Sequence, residues 1–218
     1  MTTPPAFDQQ SFRDLSGTDK DQAERLFVRK VAALHQYLNT ASSVAGLQAR
    51  RGRWSSPRSD LAFQNKKFEP EHWYTFNVGG RAEAQLNVGM YPTHLRIGLG
   101  FEFTEREHGD PKQVREAFTR FYAALQERRE DFEAVVVSLP VELELYPGRG
   151  GKLQIVPSGQ VVGTLLDLPR EPEWLFLGRL LRPSADGSIL SDGAKLGAEI
   201  DRVFAALVPW WELSNRTN

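Results

Sequence analysis

Residues 72–103 read HWYTFNVGGRAEAQLNVGMYPTHLRIGLGFEF, and their alternation with a period of two predicts a β-hairpin. Arg81–Met90 is the first strand, Tyr91-Pro92-Thr93-His94 the turn and Leu95–Phe103 the return. On the first strand Ala82, Ala84, Leu86 and Val88 share one face, and Arg81, Glu83, Gln85 and Asn87 share the other. The return divides the same way, with Leu95, Ile97, Leu99, Phe101 and Phe103 opposed to Arg96, Gly98, Gly100 and Glu102. Folding about the turn brings Val88 to Ile97 and Leu86 to Leu99, and sets Asn87 beside Gly98 and Gln85 beside Gly100. One face is apolar and bound for a core. The other is a row of amides and guanidinium groups beside bare glycines.

That polar face admits two readings. Glycine inside a strand weakens it and often marks close approach by a ligand or by another backbone. Arg, Gln and Asn address planar donor–acceptor edges in pairs, so a flat ligand fits. A solvated sheet face with two twist-relieving glycines fits as well.

Downstream, Asp110-Pro111 is a helix opening with proline at the first helical position. Val114, Phe118, Phe121, Tyr122 and Leu125 follow at helical spacing, and Arg128-Arg129 closes the helix. Glu133–Leu139 and Val141–Tyr146 read as short strands divided by Pro140, Leu153–Val156 as another, and Glu173–Leu181 as a buried strand. Asp192 caps a last helix carrying Leu196, Ile200, Val203, Phe204 and Leu207; Pro209 stops it, and an exposed Trp210-Trp211 ends the folded part. Upstream, Met1–Gly17 is an extended arm, followed by a helix from Thr18 to about Asn39 and a loop over Ala41–Pro57. The expected fold is α+β: a mostly antiparallel twisted sheet of about six strands with three helices packed on one face, in a single domain over 18–213.

Composition narrows the function. A chain of 218 residues, 40% hydrophobic and 25% charged, is ordinary globular protein with enough length for its own core. The absence of cysteine excludes disulfides, thiolate zinc sites and cysteine nucleophiles. With no membrane-length apolar run and no signal-peptide start, the expected location is the cytoplasm, with no membrane partner. The net charge of −1 offers no global attraction to nucleic acid. Locally the balance differs. Arg50, Arg51, Arg53, Arg58, Lys66 and Lys67 stand against Asp60, Glu69 and Glu71, interleaved with Trp54, Phe63, Phe68 and Trp73. Such a segment suits a phosphate backbone, and it also suits a solvated loop.

Several sites are missing. Gly148-Arg149-Gly150-Gly151-Lys152 lacks the spacing of a phosphate loop and precedes a strand, so it is a hairpin turn. His35, His72, His94 and His108 have no short metal-binding spacing. No nucleophile elbow or dinucleotide fingerprint occurs. One catalytic arrangement survives, that of a restriction-type, PD-(D/E)XK-like endonuclease with Asp60 and then Glu83-x-Gln85, and Glu24 on the first helix. Its carboxylates would hold Mg²⁺ and activate a water; otherwise no cofactor is expected. Gln85 stands where that motif has lysine and supplies no cation, and Glu83 has a structural alternative in pairing with Arg81 or Arg96.

The run His72-Trp73-Tyr74-Thr75-Phe76-Asn77-Val78-Gly79-Gly80-Arg81, with Glu83, Gln85, Asn87, Gly89, Arg96 and Gly98, resembles a segment of bacterial type IV, McrB-like modification-dependent restriction systems. Trp174-Leu175-Phe176-Leu177-Gly178-Arg179 and Ile189-Leu190 extend the resemblance over about Phe68–Trp211. It implies a DNA-recognition module for a methylated or otherwise modified base, working beside a motor or nuclease subunit. The expected double-stranded-DNA contacts are Arg50, Arg51, Arg53, Arg58, Lys66 and Lys67 on phosphates, Trp54 or Trp73 stacking on a flipped base, and Arg81, Gln85, Asn87 and Arg96 around it.

Overall fold

The computed structural model describes residues 4–7, 34, 37, 54–55, 75–78, 83–90, 93–103, 111–146, 152–168 and 172–216, with backbone alone for 54–55, 75–78, Met90 and Pro111. Seven strands occur among them: β1 (Trp54–Ser55), β2 (Thr75–Val78), β3 (Gln85–Met90), β4 (Leu95–Glu102), β5 (Glu142–Tyr146), β6 (Gln154–Val156) and β7 (Trp174–Leu181). The helices are α1 (Pro111–Glu127), α2 (Arg129–Ser138), α3 (Val161–Leu166), α4 (Pro183–Leu190) and α5 (Gly193–Ser214), with helical backbone also at Leu34 and Tyr37. The strands form one sheet in the order β1-β2-β3-β4-β7-β5-β6. The fold is α+β, with more helices than the three expected.

The hairpin is present. The connection from Met90 to Leu95 is too short for anything but an antiparallel pair. Phe103 N–H donates to Glu173 O at 3.0 Å, and Gly98 lies against Gly178, so β4 and β7 are antiparallel too. β5 pairs antiparallel with β7 (Glu144 opposite Phe176) and with β6 (Glu144 opposite Ile155).

The chain forms two compact units: Met1–Phe76, Val88–Arg96 and Leu181–Arg202 in one, Asn77–Asn87, Ile97–Leu180 and Val203–Asn218 in the other. The second holds an aromatic core. Phe101 of β4 and Phe103, just beyond its end, meet Phe118 of α1 edge-on at 5.3 Å, and Phe132 of α2 meets Trp210 of α5 at 4.8 Å. Phe121 joins the two groups, 5.4 Å from Phe101 and 5.8 Å from Phe132. Such pairs add about 0.5–1.5 kcal/mol each beyond area burial. Phe118 and Phe121 therefore face β4, and Val114 and Leu125 are buried at the same helical spacing.

Two expectations for this unit are corrected. Residues 133–139 are not a strand: α2 covers them as far as Ser138, burying Phe132 and Val136 at i and i+4, and the buried Leu139 is its C-cap. Arg128–Asp131 and Arg129–Glu133 ion pairs lie on its solvent side. Nor does Pro209 end the last helix, because α5 runs through it to Ser214. Trp210 and Trp211 are 2% and 1% exposed, so they belong to the core rather than to an exposed end. A proline inside a helix costs about 3 kcal/mol; burying two indoles is large enough to offset it.

In the first unit, the Asp192 cap is as expected, its Oδ1 accepting from Ala194 N at 2.9 Å and Lys195 N at 3.2 Å. Phe7, in the segment read as an arm, is buried and donates its N–H to Leu190 O at 2.7 Å. Tyr37 packs against Gly197, and burial, then the Asp201 carboxylate, holds its hydroxyl pKa above the ordinary range.

Candidate nucleic-acid interface

Two groups of residues were candidates: the basic segment and the polar side of the hairpin. The basic segment straddles β1, with Arg50, Arg51 and Arg53 before it and Arg58, Lys66 and Lys67 after it. β1 is the terminal strand of the sheet order, with β2 as its neighbour. Trp54 therefore sits on a sheet edge. The side chain of Trp54 and all of Arg50, Arg51, Arg53, Arg58, Asp60, Lys66, Lys67, Trp73 and Arg81 lie outside the described residues, as does Glu24.

The polar side of the hairpin is described, and it is not open. Gln85 is 2% exposed, Asn87 0% and Arg96 5%. Asn87 therefore presents no surface to solvent. Buried amides and guanidinium groups persist only when hydrogen-bonded, and all three are engaged in interactions. The row is an internal polar seam, and the expectation of an uncovered face of amides is withdrawn.

The glycines follow the second of the meanings that glycine in a strand can carry. A Cβ on Gly98 would collide with the Leu177 carbonyl oxygen and stand 2.7 Å from Gly178 Cα, and a Cβ on Gly178 would collide with the Ile97 carbonyl oxygen. What comes close is β7. At Gly100 the space is taken by the Trp174 indole, whose Cη2 would be 3.0 Å from an added Cβ. Gly178 was legible as a partner, being a lone glycine inside the apolar run Trp174–Leu181.

Sequence reading also passed over Glu144, a carboxylate 2% exposed at the centre of β5, opposite both Phe176 and Ile155. Its signal is the alternation Glu142-Leu143-Glu144-Leu145, which puts both glutamates on the side of the sheet away from the Leu143 core. His94, assigned to the turn, is likewise buried, with Nδ1 2.9 Å from Thr93 Oγ1.

For metal-dependent cleavage, Glu83 is half-buried at the entry to β3 and Gln85 is inside the protein. Among the described residues no three His, Asp or Glu side chains converge to hold a metal ion. No helix among them is long and apolar enough to cross a membrane. No family model, no curated protein and no solved structure matches this chain.

Proposed function

We propose that the protein is a DNA-binding module of a restriction or defence system, gripping duplex DNA through Arg50–Lys67 at the sheet edge formed by β1. The supporting observation is the position of β1 at the end of the sheet order, between three arginines on one side and an arginine and two lysines on the other. Among the described residues no strand lies on the outer side of β1, so that edge is the place for a phosphate backbone. Trp54 or Trp73 is the stacking partner for a modified or flipped base, a sequence-tolerant contact. The buried Gln85, Asn87 and Arg96 have no direct part in this contact. The likeness to modification-dependent restriction systems supports that context and a motor or nuclease subunit as partner.

The test is fluorescence anisotropy on short duplexes that are unmodified, 5-methylated, 5-hydroxymethylated or N6-methylated, across a salt series. If all six cations meet phosphates, the log–log slope with salt is about −5, and replacing Arg50, Arg51 and Arg53 together by Ala removes about half of it. Trp54→Ala or Trp73→Ala lowers selectivity for the preferred modification with little change in slope. Undetectable or salt-independent binding to every duplex overturns the reading. Mg²⁺-dependent cleavage that disappears in Glu83→Ala replaces it with the endonuclease.

A further inference from the structure

Among the described residues, the exposed large apolar side chains are Val137, Leu153 and Ile155, at 80%, 38% and 46% exposure. Two of the three lie on β6 or immediately before it. Among the described residues β6 is the other terminal strand of the sheet, paired with β5 and with no strand on its outer side. An edge strand presents a row of unpaired backbone groups, and proteins usually guard it with charge or proline within the strand. Here the guards stand outside: Lys152 precedes the apolar stretch and Pro157 follows it, while Leu153, Gln154, Ile155 and Val156 carry no charge.

The stretch is also complementary to itself. Consider two copies meeting edge to edge, antiparallel, about a two-fold axis normal to the sheet. Such an axis keeps each side chain on its own face only if it passes through a residue rather than between two. With the axis at Gln154, Leu153 faces Ile155 of the second copy and Ile155 faces its Leu153. Gln154 then faces Gln154, whose amides can bond each other. Moving the axis to Leu153 or Ile155 sets one apolar side chain against its own copy and leaves the other facing Gly151 or Pro157. The axis at Gln154 is thus the register in which both apolar residues find apolar partners. Contacts of this kind are isologous and close at two copies.

We propose that β6 is a homodimerisation edge, pairing Lys152–Val156 of two copies antiparallel with Gln154 on the two-fold axis. The partner is a second copy of this chain. Five-residue strands bury little area, which places the dimer at the weak end of specific association. Sedimentation of the full chain from about 1 µM to about 1 mM covers the range in which it forms.

The register gives the decisive experiment, because the chain has no cysteine of its own. Directly opposed residues of an antiparallel pair have Cα atoms about 4.5–5.5 Å apart, within the span of a disulfide. Gln154 is exposed, so Gln154→Cys leaves the fold intact. Under mild oxidation it gives a covalent dimer in high yield, whereas Lys152→Cys, four residues out of register with its own copy, gives at least ten-fold less. Ile155→Lys keeps the circular dichroism spectrum and melting temperature of the parent and sediments as the 24.6 kDa chain at all concentrations. A parent that stays at one-chain mass up to about 1 mM overturns the proposal. So does equal cross-linking of the two cysteine variants, or a dimer that survives Ile155→Lys.

Discussion

A methyl group at Gly98 would sit 2.7 Å from Gly178 Cα and 2.8 Å from Phe176 Cζ, besides overlapping the Leu177 carbonyl. Two of these neighbours are backbone and cannot move without parting β4 from β7. Overpacking ordinarily costs about 1–3 kcal/mol, and Gly98→Ala and Gly178→Ala belong at the top of that range or above it. At Gly100 the nearest atoms belong to the Trp174 indole, a side chain able to tilt, so Gly100→Ala costs less than about 1 kcal/mol. Urea denaturation of the three variants checks the ranking; equal losses at Gly98 and Gly100 would contradict the close approach. Asn87 makes a second case. Were it facing a ligand, Asn87→Ala would change binding and leave stability alone. Buried at 0% exposure and engaged, it instead leaves polar partners unsatisfied when truncated, at about 1–3 kcal/mol. A denaturation midpoint within error of the parent would refute that role.

At the level of elements, the end of α5 is fastened to the entry of β3. Asn215 Oδ1 accepts from Ala84 N at 2.9 Å, and its Nδ2 donates to Ala84 O at 2.9 Å. Trp211 Nε1 donates to the same carbonyl at 2.8 Å. The amide thus supplies Ala84 with a donor and an acceptor, as a neighbouring strand would. Arg120 of α1 donates to Ser214 O at 2.7 Å, closing the helix end. Asn215→Ala orphans the buried Ala84 N–H and lowers stability by about 1–3 kcal/mol. Trp211→Phe costs less in hydrogen bonding, because Ala84 O keeps its bond from Asn215. Denaturation of both variants and the double mutant measures the coupling, and additive losses would show that the two bonds act separately. None of this was legible: Asn215 follows a proline and two tryptophans that looked like an ending. Legible were the elements with one clear period, namely the β3–β4 hairpin, α1, and α5 with its Asp192 cap. The run Val135-Val136-Val137 misled because β-branched residues favour strands, whereas the helix was set by the packing of Phe132 and Val136. Gln85 and Asn87 misled for a related reason. Alternation separates two faces of a strand, but it does not say that the polar one meets water. The candidate DNA edge was legible as composition only, and its place at the end of the sheet required the strand order.

For the whole molecule, the division into two units does not follow the elements. Gln85–Asn87 of β3 fall in one unit and Val88–Met90 in the other; β4 divides after Arg96 and α5 after Arg202. Neither unit owns a complete β3, β4 or α5. A strand half released from its neighbours loses its ladder bonds, and a helix half loses the turns that continue it, so unfolding one unit removes order that the other uses. The expected consequence is a single transition. Asp192→Ala, which removes the α5 cap in one unit, costs about 1 kcal/mol, and Asn215→Ala acts in the other. For a chain of this length each kcal/mol moves the melting temperature by about 2–4 °C. Both substitutions then displace one calorimetric peak whose van't Hoff and calorimetric enthalpies agree. Two peaks, with Asp192→Ala moving one and Asn215→Ala the other, would show that the units melt independently despite the strands and helix they divide.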